Sequence, residues 1–270
     1  MDDWTIYSFL KYHATLLHIM FDRCQQLKIS LKLKKCIFVV PFRTLLGHVV
    51  CRQGVCVEPA KVAVINHMEA PETVKQLRSL RGHMGYYRRF IRNYVKITTP
   101  LEKLLRKSEV FQWMDDCKLA LNTLKEKLAT VPILVHPDWD KQFHVHIDAS
   151  SIALGAVLVQ PGEMTVDHPV YFASCKLSNV VRNYTTTERE ALTMVYSLQK
   201  FHYYLLGGKF KFFTDHSTLK YLVNKPVLEG WICRWLLLFQ EFTFEVIFKL
   251  GRLNFGPDHL DRKSACRERV

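Results

Sequence analysis

The spacing of apolar residues changes near residue 143, and this change limits the fold more than any other feature of the chain. Before it, apolar side chains recur at helical spacing; after it, they alternate. Residues 143–148, 153–160 and 168–176 read as three successive strands, the last two separated by Pro161-Gly162. A helix is predicted from about Thr185 to Leu206, stopped by Gly207-Gly208. A fourth strand over 209–215, two shorter helices near 216–223 and 229–241, a fifth strand over 243–249 and a short helix from about Pro257 complete the series. An order of three strands, helix, strand, helices and strand implies an α+β domain in which some strands run parallel.

The first half is predicted to be mainly helical. Ile6, Phe9, Leu10, Leu16, Leu17, Met20 and Phe21 suggest a helix over 5–27. Residues 30–34 alternate as a strand does, and a hairpin is expected over 45–57 around Cys51-Arg52-Gln53-Gly54. Helices follow over 59–68 and 71–87, with shorter pieces over 88–94 and 100–107. Trp113, Cys117, Leu121, Leu124 and Leu128 then mark a helix to residue 129. Pro132, Pro137 and Asp138-Trp139-Asp140 form a connector. The expected divisions are 1–58, 59–107, 108–142 and 143–270.

Charge separates these regions as well. The net charge is +13, and residues 1–107 carry 19 Lys and Arg against 7 Asp and Glu. Uncompensated positive charge of that kind attracts polyanions and releases their counterions, so nucleic acid is the expected partner. A merely solvated basic surface explains the composition equally well. No run of eighteen apolar residues is present, and Met1-Asp2-Asp3-Trp4 lacks a signal peptide's pattern, so no membrane partner is expected. The eight cysteines are scattered without Cys-x-x-Cys pairs, as in an intracellular protein with reduced thiols; cytoplasm and nucleus are not distinguished.

Four carboxylates stand out in the second half: Asp148 at the end of a strand, Glu188 at the start of a helix, Asp215 after a strand, and Asp258 after Pro257. Convergent carboxylates are how proteins hold hard divalent cations. Each also has a local reading: Asp148 as a turn residue, Asp215 as an N-cap, and Asp258 as a favourable charge at a helix start. Glu188 can close a capping box with Thr185, and Glu190 one with Thr187.

From Leu27 to Arg262 the chain resembles the Pol polyprotein of gypsy-type LTR retrotransposons, over its thumb, connection and RNase H regions. The resemblance is carried by Leu46-Gly47-His48-Val49-Val50, Gly85-Tyr86-Tyr87-Arg88-Arg89-Phe90-Ile91 and Asp148-Ala149-Ser150. It continues in Asn183-Tyr184-Thr185-Thr186-Thr187-Glu188-Arg189-Glu190-Ala191-Leu192, Thr214-Asp215-His216 and Gly256-Pro257-Asp258-His259-Leu260. It implies a helical thumb and connection followed by an RNase H-like domain with a five-stranded mixed sheet flanked by helices. It further implies that Asp148, Glu188, Asp215 and Asp258 hold two Mg²⁺ or Mn²⁺ ions, and that Glu190 is the capping residue. The implied activity is endonucleolytic hydrolysis of RNA in RNA–DNA hybrids, the alternative being a remnant that binds nucleic acid without cutting it.

Lys75, Arg78, Arg88, Arg89 and Arg92 are expected to face the duplex, and Leu46–Cys56 to act as a primer-grip-like hairpin. Asp2 and Asp3 look like the end of a polymerase Tyr-x-Asp-Asp motif, so polymerase activity is expected to be lost. Several positions depart from the family. Arg81 replaces an apolar or small residue, Cys175 and Trp231 replace basic ones, His202-Tyr203 stands for Arg-His, and Asp261 stands for Ser.

Overall fold

The computed structural model describes residues 5–6, 8, 10–106, 109–162, 166–217, 219 and 232–249. It divides into two compact units, Met1–Arg43 and Thr44–Val270. The first contains one long helix, α1 (Leu10–Gln26), whose single buried residue is Cys24. The predicted strand over 30–34 is absent. Instead, Leu33–Lys35 forms an exposed 3-10 turn, because a Leu-Lys alternation makes a strand only where a sheet receives its apolar side. A short strand that the sequence did not suggest, β1 (Phe42–Leu45), spans the join.

The second unit begins with the expected hairpin, β2 (His48–Cys51) and β3 (Gly54–Val57), paired antiparallel. Gly54 has φ +146°, and a Cβ there would lie 2.1 Å from the Leu134 carbonyl oxygen. Only glycine lets the hairpin approach so closely, and Val55 exchanges backbone hydrogen bonds of 2.7 and 3.0 Å with Leu134. Four helices accompany it: α2 (Pro59–His67), α3 (Val74–Tyr86), α4 (Tyr94–Lys103) and α5 (Asp115–Ala129). Helix α3 opens with a reciprocal capping box between Thr73 and Gln76. The stripe read from the sequence of α5 is indeed its buried face: Cys117, Leu121, Leu124 and Leu128 join Leu77, Leu80, Met84, Phe90 and Leu101 in one core.

The remainder is a five-stranded mixed sheet in the order β6-β5-β4-β7-β8. Its strands are β4 (Phe143–Ala149), β5 (Ala153–Pro161), β6 (Asp167–Lys176), β7 (Lys209–Thr214) and β8 (Thr243–Phe248). Pairings β4–β5 and β5–β6 are antiparallel, whereas β4–β7 and β7–β8 are parallel. The chain must therefore cross the sheet between β6 and β7, and a helix makes that crossing. The predicted helix over 185–206 is two: α7 (Thr186–Lys200) and α8 (His202–Leu205), divided at buried Phe201 and preceded by a one-turn α6 (Asn179–Arg182). The last helix among the described residues, α9 (Ile232–Gln240), precedes β8, and the short helix expected from Pro257 lies outside them.

Alternation decides which strand residues face which layer. Phe143, Val145 and Ile147 of β4 pack with Ala191, Met194, Val195 and Leu198 of α7 in a second core. On the other side, Ala153 joins the helical core and Phe172 packs against it. Polar contacts fasten this second layer. Arg88 Nη2 donates to the Ser174 carbonyl at 2.7 Å, and Val95 N–H donates to Ser174 Oγ at 3.2 Å. Glu102 pairs with Lys176 at 2.6 Å and with Arg81 at 2.7 Å. Arg81, unexpected from the family pattern, thus belongs to an ion-pair network.

Candidate active site

Asp148 occupies the last turn of pleat in β4, on the side opposite Val145 and Ile147, and pairs across the ladder with Gly155. Strand β7 runs parallel to β4, so its end brings Asp215 to the same edge of the sheet. Helix α7 lies over β4 with its first turns at that edge, and the His216 ring is hydrogen-bonded to Thr187 Oγ1 at 2.9 Å. His216 is therefore a local tie between β7 and α7.

The capping role that the sequence reading gave to Glu190 falls to the other glutamate of α7. Glu188, not Glu190, closes the capping box: its Oε2 accepts from Thr185 N at 2.7 Å and from Thr185 Oγ1 at 2.9 Å, while Thr185 Oγ1 accepts from Glu188 N at 3.3 Å. Helix geometry dictates this. Glu190 adjoins Ala191 and precedes Met194 and Leu198 at helical spacing, so it belongs to the face that packs on the sheet. It is 3% exposed.

The surroundings of Glu190 are incomplete. Its Oε1 accepts the Ala149 N–H at 3.0 Å, but its buried Oε2 has no hydrogen-bond partner among the described residues. Burial pushes its carboxyl up to about 7, with further upward pressure from Asp215 and Asp148; the Ala149 N–H and Arg189 oppose it. Asp148 is raised too, by desolvation and then by Asp215, while Arg92 and Lys96 pull it down. The three acids are near enough to sense one another.

A buried orphan oxygen in a mutually repelling acidic group is chemistry that a hard cation relieves, so these residues fit a divalent metal. Among the described residues, no three His, Cys, Asp or Glu side chains form a ready-made ligand set. Asp258, the fourth predicted ligand, lies outside the described residues, as do the polymerase-motif positions Asp2 and Asp3.

Two small clefts border Asp148. Arg92, Asn93, His146, Gly155 and Asp215 line one; Asn93, Lys96, Ser150 and Ser174 line the other. Each has a volume of about 30 Å³. Of the basic residues expected to face a duplex, Lys75 and Arg78 lie exposed on α3. Arg88 is directed to Ser174, and Arg89 lies over the rings of Phe90 and Tyr171 at 5.5 and 5.2 Å. Those two arginines help hold the helical layer on the sheet. Arg92 faces the acidic edge, together with Lys96, which the sequence reading had not picked out.

Residues 113–212 match the RNase H-like domain found in reverse transcriptase. The retrovirus-related Pol polyprotein from transposon 297 of Drosophila melanogaster is 34% identical over 267 residues, covering 97% of this chain and 24% of that polyprotein. Over almost its whole length the chain is homologous to a part of the Pol polyproteins of gypsy-type LTR retrotransposons. The Tf2-3 transposon polyprotein of Schizosaccharomyces pombe is 30% identical over 269 residues, with 97% of this chain and 20% of the relative covered. This chain thus spans about a quarter or less of the length of these Pol relatives. In fold, the foamy viral protease-reverse transcriptase solved in complex with an RNA/DNA hybrid is similar: TM-score 0.72 and 21% identity, over 96% of this chain and 36% of that one. The five-stranded mixed sheet with flanking helices is the architecture that the sequence predicted.

Proposed function

We propose that this chain hydrolyses RNA in RNA–DNA hybrids, using two Mg²⁺ or Mn²⁺ ions held by Asp148, Glu190 and Asp215, with Asp258 as the fourth ligand. The observation that carries the reading is the buried, half-satisfied carboxylate of Glu190 beside two aspartates. The RNase H-like match and the hybrid bound by the foamy viral relative support it. When bound, such ions supply an activated water and neutralise charge on the leaving oxygen.

The chain's own contribution is to hold the carboxylates in place. Asp148 is anchored in the β4–β5 ladder, and Glu190 is fixed by its bond from Ala149 and by the packing of α7 on β4. Preorganisation of this kind lowers the cost of assembling like charges around the substrate.

The exposed cations Lys75 and Arg78, which would serve binding whether or not the acids act, also suit a second reading, in which the chain binds hybrids without cleaving them. Cleavage of a labelled hybrid in Mg²⁺ and in Mn²⁺ separates the two. The native chain should cut, and Asp148→Asn and Glu190→Gln should each lose at least ~100-fold, since even outer-shell changes at metal sites cost about 10–100-fold. Equal rates in native and Asp148→Asn chains, or no cutting by either, would remove the nuclease reading.

A further inference from the structure

We propose that Arg92 and Lys96, supplied by the helical layer, form a phosphate-positioning rim for the hybrid backbone at the Asp148 edge of the sheet. The proposal rests on the nuclease reading and adds to it a contribution from outside the strands and helix that carry the acids.

Placement is the first argument. Both clefts bordering Asp148 have one wall from the 92–96 segment: Arg92 and Asn93 in the cleft that reaches Asp215, Asn93 and Lys96 in the cleft that reaches Ser174. The charges of Arg92 and Lys96 are felt at Asp148. Local conformation is the second. Asn93 has φ +56°, a left-handed geometry that asparagine tolerates better than most residues, and its side chain does not cap α4 although it occupies the N-cap position. Its Oδ1 lies 3.5 Å from where a Cβ on Gly155 would stand. The chain therefore turns sharply between Arg92 and α4, directly against the strand that pairs with Asp148.

The third argument is fixity. Ile91 and Val95 are buried in the helical core, and Val95 N–H and Arg88 both bond to Ser174. Side chains on such a clamped turn can position a ligand, which a loose loop cannot. Electrostatics gives the fourth. A phosphodiester backbone approaching Asp148, Glu190 and Asp215 meets repulsion, and cations on the rim offset it while fixing the strand's register without reading bases.

The test measures binding and cleavage separately. Affinity for an RNA–DNA hybrid is followed by fluorescence anisotropy against salt in an Asp148→Asn background, which needs no activity. Arg92→Ala with Lys96→Ala should lower the slope of log K against log[salt] by about 2, roughly one per lost phosphate contact. In the native background the same pair should raise KM more than it lowers kcat, with Arg92→Lys restoring most of the loss. An unchanged salt slope would overturn the proposal. So would faster cleavage by Arg92→Ala, which would make Arg92 a plug on the acidic edge. A reduced slope in a chain whose native form does not cut would overturn the nuclease reading alone and leave the rim as a hybrid-binding element.

Discussion

Two acids, half-buried Asp167 of the sheet and buried Glu190 of the helix packed on it, meet opposite fates. Asp167, at the start of β6, gives one oxygen to His144 Nδ1 at 3.0 Å and the other to His146 Nε2 at 3.1 Å. Burial alone would raise its carboxyl, yet the hydrogen bonds and charge of the two histidines hold it well below the usual carboxylate range. Glu190 has one hydrogen-bond partner among the described residues, the Ala149 N–H, and burial pushes its carboxyl up to about 7. His144, His146 and Asp148 alternate along one side of β4, so a single strand carries both the satisfied and the unsatisfied environment. Internal partners complete Asp167, whereas one oxygen of Glu190 stays open among the described residues. Burial alone therefore does not distinguish a functional acid from a structural one.

The largest expected effect sharpens this contrast. Glu190→Gln should abolish hybrid cleavage while making the folded chain more stable at pH 8. The sign follows from linkage. The folded protein keeps the Glu190 proton up to about pH 7, whereas an unfolded chain releases it near 4.5. Stability is thus undiminished by this group below 4.5 and falls as pH rises to 7. Removing the charge should restore about 1–3 kcal/mol at pH 8 and almost nothing at pH 4, as read by urea unfolding at the two pH values.

Added Mg²⁺ should raise the Tm of the native chain above pH 7 and leave Glu190→Gln nearly unmoved, because only a cation bound to the folded state shifts the equilibrium. Equal shifts in both proteins would place the ion elsewhere. Asp167→Ala should act in the opposite sense. It leaves the two histidines without their carboxylate and should cost ~1–3 kcal/mol at neutral pH. Because the Asp167 carboxyl is held low in the fold, its contribution is present above the unfolded value of 3.8 and fades as pH falls below it. The smallest effect belongs to the cap. Thr185→Ala should cost ~1 kcal/mol by thermal unfolding and leave cleavage of the hybrid near the native rate.

Much of this was legible from spacing alone. The strand segments, the hairpin at Gly54 and the stripe on α5 follow from apolar periodicity, and the parallel pairing of β4 with β7 follows from the intervening helix. The cap of α7 was placed on Glu190 rather than Glu188 because Thr185-x-x-Glu188 and Thr187-x-x-Glu190 match the same capping signature. The signal that separates them was present: Glu190 shares the helical face of Ala191, Met194 and Leu198, and Glu188 does not. That Arg88 bonds a strand carbonyl and Arg89 lies over a tyrosine ring was not legible, because sequence registers charge and not what lies across from it. Lys96 passed unnoticed for the converse reason, since its proximity to Asp148 arises only when α4 docks on β6.

That docking bears on how the molecule can be divided. The recognisable RNase H-like stretch starts at residue 113, yet α5 packs with Leu77, Met84 and Leu101, and Phe172 of β6 leans on the same cluster. Cutting at that boundary would strip away the neighbours of α5 and leave a greasy flank in water, inviting precipitation. A soluble fragment should instead start near Thr44, so that hairpin, helices and strands travel together.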